Sequence, residues 1–184
     1  MTVRVALIVG SLRKGSYSRA IGLELKAMAA PALELELVEI GDLPLYDPDL
    51  ETDAPPPAWT RFREEVATTE AVLFVTPEYN RSIPGALKNA LDVGSRPYGH
   101  SIWAKKPAAI VSVSPGALAA FGANHHLRQP LVFLGMPTMQ QPEAYIGNVA
   151  DLLDDDGKLT KDDTRKFLKD FMDAFAAWID KTKA

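Results

Sequence analysis

The densest run of potential chemistry in this chain is Gly10-Ser11-Leu12-Arg13-Lys14-Gly15-Ser16-Tyr17-Ser18-Arg19. Three serine hydroxyls, two glycines and two arginines fall between an apolar run and a helical pattern. Hydroxyls combined with the free amides of a helix N-terminus make a site for a phosphate. The loop is not a Walker A motif, because Ser16 and Tyr17 stand where that motif requires Lys and Ser/Thr, and it contains no G-x-G-x-x-G. Reliance on hydroxyls suits a terminal phosphomonoester better than a pyrophosphate. The plainer alternative is a polar turn that only caps a helix.

A second loop, Thr76-Pro77-Glu78-Tyr79-Asn80-Arg81-Ser82-Ile83-Pro84-Gly85, is bracketed by prolines that stiffen its backbone. A rigid loop can offer consecutive amides and carbonyls to a flat heterocycle. Asn80 is donor and acceptor together, and Tyr79 offers an aromatic surface. A third, Ser114-Pro115-Gly116-Ala117, carries small residues that let backbone approach a bound ring. Alone, each of these two is also explained as an ordinary turn.

Other constellations carry less. His125 and His126 are adjacent, so they point apart on a helix; one is expected to pack or cap and the other to be exposed. They lack the i, i+4 spacing or carboxylate partner of a metal site, and no metal is expected. Asp154-Asp155-Asp156-Gly157 fails as a calcium loop, since aligning Gly157 with the invariant glycine puts Leu152 at the first ligand position. No nucleophile-elbow motif accompanies the serines.

The elements that must position these loops alternate along the chain. Val3–Val9 reads as a strand, and Ile21, Leu25 and Met28 repeat at helical spacing. Leu33–Ile40 alternates like a half-exposed strand, and Gly41 to Pro57 is a long surface loop. Trp59, Phe62 and Val66 mark a second helix. Ala71–Val75 is apolar throughout, as a central parallel strand is. Pro84 opens a third helix with Leu87, Ala90 and Leu91 on one face, and Ala108–Val113 is another buried strand. A helix is expected from about Ala117 to Leu134, bent near Pro130 and ended by Gly135. A last short strand is placed at Thr138–Gln141. A final helix is capped by Thr160, with Leu168, Phe171, Phe175 and Trp178 on its apolar face. Repeated strand–helix units imply one three-layer α/β domain, residues 1–184, with a parallel sheet. Ligands of such sheets bind beyond the carboxyl ends of the strands.

The whole chain is consistent with that. It has 184 residues, 47% hydrophobic and 24% charged, and a formal net charge of −4. Lys and Arg are scattered, which leaves no electrostatic footprint for nucleic acid. With no cysteine, disulfides, thiolate metal sites and cysteine nucleophiles are excluded, and a cytoplasmic location is expected. Val5 to Val9 reads as a buried strand rather than a signal peptide, and no apolar run approaches the ~20 residues of a membrane span.

Taken together, GSLRKGSYSR at 10–19 and TPEYNRSIPGALKNALD at 76–92 resemble the NADPH-dependent FMN reductase family, which includes quinone, chromate, azo-dye and ferric reductases. His126-Leu127-Arg128-Gln129, Leu131 to Met136 and Gln141-Pro142-Glu143 resemble it too, in order and with spacing intact. The resemblance implies a flavodoxin-like five-stranded sheet of order 2-1-3-4-5. It implies tightly bound FMN, its phosphate held by Ser11, Arg13, Ser16, Tyr17 and Ser18. The ring would be lined by Pro77, Glu78, Tyr79 and Asn80, and met by Ser114 and Gly116. It implies a homodimer or homotetramer with the flavin near a subunit interface, to which the third helix and Ser95-Arg96 contribute. Departures are Pro130 inside a helix, His125 where Tyr is frequent, and a more polar Gly94–His100 segment.

The activity expected is ping-pong transfer from NADPH or NADH to FMN and on to quinones, ferric complexes, chromate or azo compounds, with the cofactor performing the chemistry. Arg96 is the candidate catalytic residue, as a charge near the ring, whether of its own subunit or offered by the neighbouring one. The side chain of Glu78 is expected in an ion pair. The alternative reading is a flavodoxin-type one-electron carrier, against which the modest net charge counts; a nucleotide-binding regulatory module would explain the first loop but not the second.

Overall fold

The computed structural model describes residues 2–29 and 31–183. Strands β1 (Val3–Val9), β2 (Leu33–Val38), β3 (Ala71–Thr76), β4 (Ala108–Val113) and β5 (Ala144–Ile146) alternate with helices α1 (Tyr17–Ala29), α2 (Pro57–Ala67), α3 (Gly85–Gly94), α4 (Phe121–Phe133) and α5 (Asp162–Thr182). All neighbouring strands pair in parallel, in the order β2-β1-β3-β4-β5. This is the flavodoxin-like sheet that the resemblance implied.

Alternation along the strands divides the interior into two cores. Val5, Leu7, Leu73 and Val111 face Ile21 and Leu25 of α1 and Phe171, Met172 and Phe175 of α5. Ala6, Ile8, Phe74 and Ile110 face the opposite way, onto Trp59 and Phe62 of α2, Leu87 of α3 and Leu127 of α4. Period-2 side-chain geometry makes this division automatic once both faces are covered. All residues of β3 and β4 are buried, and each large side chain among these contributes about 1.5–3 kcal/mol by leaving water. Trp103 lies fully buried against Gly94, where an added Cβ would come within 2.6 Å of the indole, and its Nε1 donates to the Leu91 carbonyl at 3.0 Å.

Several expected boundaries move. The last strand is Ala144–Ile146, not Thr138–Gln141; Thr138 makes only an isolated bridge to Ala108, while Ala144 to Ile146 pair with Val111 to Val113. Helix α4 begins at Phe121, because Ala119 and Ala120 adopt left-handed backbone (φ 54° and 57°) and hold the third loop open for longer. The helix continues through Pro130 to Phe133, so the proline sits in its last turn. Thr160 does not cap α5: the residue at the cap is Lys161, and the Thr160 hydroxyl donates instead to the Leu152 carbonyl at 3.2 Å. The long loop after β2 is pinned by buried Asn89, which donates to the Leu43 and Pro44 carbonyls and accepts from Tyr46 N–H. No described helix is long and apolar enough to cross a membrane.

Candidate functional site

The three loops converge at the carboxyl ends of β1, β3 and β4. They line a cavity of about 260 Å³ with Ser11, Arg13, Ser16, Tyr17 and Ser18 from the first, Pro77, Glu78 and Tyr79 from the second, and Val113, Ser114 and Pro115 from β4 and the third. Gly10 permits the convergence: a Cβ there would lie 3.1 Å from Thr76 Oγ1 and 3.3 Å from Leu87 and Pro77 atoms. Of the anticipated cofactor-binding residues, Asn80 and Gly116 lie outside this lining, each next in sequence to a residue that forms it. Val113 and Pro115 were not anticipated, since an apolar strand end and a turn proline carry no chemical signal.

Ser16 is placed for both roles weighed for the first loop. Its Oγ accepts from Arg19 N–H at 3.1 Å, so it caps α1, while the same side chain faces the cavity. The cap uses a lone pair and leaves the hydroxyl proton for an anion. The first-turn N–H groups of Tyr17 and Ser18 have no intrahelical acceptor, and the helix dipole is positive there. Arg19 is diverted: it is bound to Glu39 at 2.7 Å. Arg13 lines the cavity, is exposed and makes no ion pair among the described residues. The serines themselves are largely buried (8%, 6% and 2% exposed for Ser11, Ser16 and Ser18), so they reach solvent chiefly through the cavity side of the loop.

The second loop is a tight hairpin. Tyr79 and Ser82 exchange two backbone hydrogen bonds of 3.0 Å, and both residues between them, Asn80 (φ 50°) and Arg81 (φ 65°), are left-handed. That is the geometry of a type I′ turn, for which Asn is favoured but Arg is not. Glu78 forms the expected ion pair, its Oε1 lying 3.5 Å from Arg81 Nη1, and its other oxygen does more than was anticipated: Oε2 accepts from Ala123 N–H of α4 at 2.8 Å. Ser82 Oγ shares a 2.7 Å hydrogen bond with His126 Nδ1.

In the third loop, Ser114 Oγ accepts from Gly116 N–H at 3.1 Å, and buried Ser112 donates to the Ala119 carbonyl at 2.8 Å. Behind it, His125 Nε2 lies 2.9 Å from the Tyr145 hydroxyl. Burial, reinforced by the hydrogen bond and charge of Glu143, pushes the Tyr145 phenol up to about 12. Thus His125 and His126 are both exposed and each has its own partner, rather than one being packed and one free.

Arg96 is not among the residues lining the cavity of its own chain. Its guanidinium is held by Ser95 Oγ at 3.0 Å and lies over the Tyr46 ring, 6.0 Å from the centroid. A larger hollow of about 520 Å³ runs between α1 and the 153–158 turn. It shares Ser16 and Tyr17 with the smaller cavity but includes no strand end, and the turn brings Asp154, Asp155 and Asp156 to it, which repel an anion; Lys158 is drawn to Glu24 at 3.1 Å. Position and chemistry favour the smaller cavity as the site. Among the described residues, no three metal-ligating side chains gather.

Comparisons with known proteins agree with this fold. Residues 3–151 match the family described as NADPH-dependent FMN reductase. A quinone reductase of Pseudomonas putida is 62% identical over 180 residues, covering 98% of this chain and 96% of that protein. A 2-hydroxy-1,4-benzoquinone reductase of a Burkholderia species is 43% identical over 179 residues, 97% of each. Among solved structures, the flavoenzyme NAD(P)H:(acceptor) oxidoreductase FerB of Paracoccus denitrificans superposes with a TM-score of 0.93 at 44% identity, over 100% of both chains.

Proposed function

This chain belongs to the NADPH-dependent FMN reductase family, and from that premise we propose that its three-loop cavity holds FMN and that electrons pass through it from NAD(P)H to quinones. The protein is an NAD(P)H-dependent, FMN-using oxidoreductase of the quinone reductase type. The observation that carries the site assignment is the meeting of all three loops on one cavity at the switch point of the sheet.

The residues present fit the cofactor. The phosphate end is assigned to Ser11, Ser16 and Ser18 as hydroxyl donors, to the first-turn amides at Tyr17 and Ser18, and to Arg13 as the uncommitted cation. The ring end is assigned to the backbone of Pro77 to Asn80, with Tyr79 alongside, and to Ser114 and Gly116. Bound FMN supplies a two-electron acceptor that NAD(P)H can reduce and a quinone can re-oxidise. The chain's own residues orient it. Three hydroxyls and a stiff hairpin keep it in one place, and no side chain at the cavity needs to act as acid or base.

A volume of about 260 Å³ is below the ~300–1,000 Å³ of pockets that engulf a ligand. The reading is therefore of an incompletely enclosed cofactor, approached in turn by nucleotide and acceptor, which is what a ping-pong cycle requires. The same access would serve ferric complexes, chromate or azo compounds. The proposal extends to a homodimer or homotetramer, supported by Phe121, Val132 and Phe133 of α4, which stand 52%, 75% and 86% exposed. Arg96 belongs to it, with α3, as a charge offered across a subunit contact rather than within its own cavity. A flavodoxin-type carrier would share the cavity, but the modest net charge of −4 gives little support to a strongly acidic docking surface.

The test is the visible spectrum of the purified protein, followed by anaerobic NADPH or NADH and then a quinone. Bleaching by the nucleotide and recovery with the quinone is expected. Bound flavin that stays yellow with both nucleotides would mean a carrier, and no flavin binding at all would remove the assignment.

A further inference from the structure

Helix α4 has no cap of its own. Ala120 occupies the cap position in left-handed backbone and has no side chain able to accept a hydrogen bond. The service a capping Ser or Asp would give to the third helical residue comes instead from outside the helix: Glu78 Oε2 accepts from Ala123 N–H at 2.8 Å. Room for this is left by Gly122, where an added Cβ would lie 2.8 Å from Glu78 Oε2 and 3.1 Å from the Arg81 carbonyl. One turn further along the helix, His126 binds Ser82 across the other strand of the hairpin. The hairpin has one left-handed non-glycine residue, Arg81, that its own turn chemistry disfavours. Something outside it must therefore hold that shape.

We propose that Glu78 is a positioning residue: its carboxylate caps α4 and, with Gly122 and the Ser82–His126 bond, fixes the 77–82 hairpin against the cavity. The inference rests on the reading that this cavity holds FMN. Glu78 then acts through the helix it caps, and Gly122 matters to a site it does not line.

FMN affinity, measured by fluorescence quenching of the flavin in Glu78→Ala, Glu78→Gln, Gly122→Ala and the Glu78→Ala/Gly122→Ala double variant, tests this, with circular dichroism to establish folding. A lost cap is worth about a fivefold change, so Glu78→Ala is expected to weaken FMN binding about fivefold or more. Gln retains a side-chain oxygen for Ala123 N–H and should restore affinity to within about twofold. Gly122→Ala should weaken binding although Ala is the better helix former. The double variant should bind no worse than Glu78→Ala alone, because both changes break one contact. Additive losses, failure of Gln to rescue, or unchanged affinity in both single variants would overturn the proposal. If Glu78→Ala does not fold, Gly122→Ala and Glu78→Gln decide the matter. Wild-type protein that binds no FMN would overturn the functional reading and this one together; wild-type binding matched by every variant overturns only this one.

Discussion

The two edges of the sheet treat their polar groups in opposite ways. At the amino edge they satisfy one another. Arg4 forms a two-pronged pair with Glu36 at 2.8 and 2.9 Å, Lys183 pairs with Glu70, and Lys106 donates to the Thr69 carbonyl just past the end of α2. At the carboxyl edge, Ser11, Arg13, Ser16 and Ser18 face a cavity, with donors left over. Parallel strands with returning helices make this asymmetry unavoidable. Helix C-termini and their orphan carbonyls collect at one edge, where lysines meet them, and helix N-termini with orphan N–H groups collect at the other. Where a carboxylate already occupies an N-terminus, as Glu78 does on α4, that N-terminus is closed to ligands. The N-terminus of α1 has only a partial cap from Ser16. The comparison thus separates the proposed phosphate site from a helix end that merely looks like one.

The sharpest way to break this comparison is at the open edge. Replacing Arg13 and Ser18 together by Ala removes a cation and a hydroxyl from the cavity, and at about 1.5–3 kcal/mol for each hydrogen bond to a charged group FMN affinity should fall about a hundredfold or more. Thermal stability should barely change, and a flavin titration beside a melting curve would reveal both. Next is a core change remote from the cavity. Gly94→Ala drives a methyl into Trp103, and such overpacking costs about 1–3 kcal/mol, lowering Tm by several degrees with FMN affinity intact. Should affinity fall in step with Tm, the two edges would not be independent.

A smaller effect is expected from Arg96→Ala. Turnover with NAD(P)H and a quinone should slow several-fold while FMN stays bound, about 1 kcal/mol in the barrier. Unchanged kinetics would take Arg96 out of the mechanism. The smallest effect belongs to the closed edge. Glu36→Gln removes an exposed pair of the kind that contributes about 0–1 kcal/mol, and it should leave FMN binding untouched. Hydrogen bonds first from Arg4 to Glu36, and from Lys183 to Glu70, hold both carboxyls below their ordinary value of 4.5. Their contribution is therefore present above pH 4.5 and is lost as pH falls through the lowered values, an acid-side loss that denaturant titrations at two salt concentrations should show shrinking with salt.

Much of this was legible in the residues. The apolar runs of β1, β3 and β4, the glycine- and serine-rich first loop and the broad apolar face of α5 each follow from local period and composition. The last strand was not legible, because three residues, Ala144 to Ile146, carry no period of their own; only pairing with Val111 to Val113 distinguishes them from Thr138–Gln141. Thr160 was a fair cap by type, but its hydroxyl was taken by the Leu152 carbonyl eight residues earlier, a partner no local rule brings near.

The sequence by itself determined the alternation of elements, the family, and which loops carry the hydroxyls, glycines and prolines that line the cavity, since these depend on residue type within a few positions. Only the tertiary structure decided how those donors divide their work. It sent Arg19 to Glu39 and left Arg13 for the cavity, set Arg96 over Tyr46, and gave Glu78, beside its near neighbour Arg81, a second partner on α4. Such choices are made between partners distant in sequence, and a side chain's second partner is fixed by packing rather than by its own type.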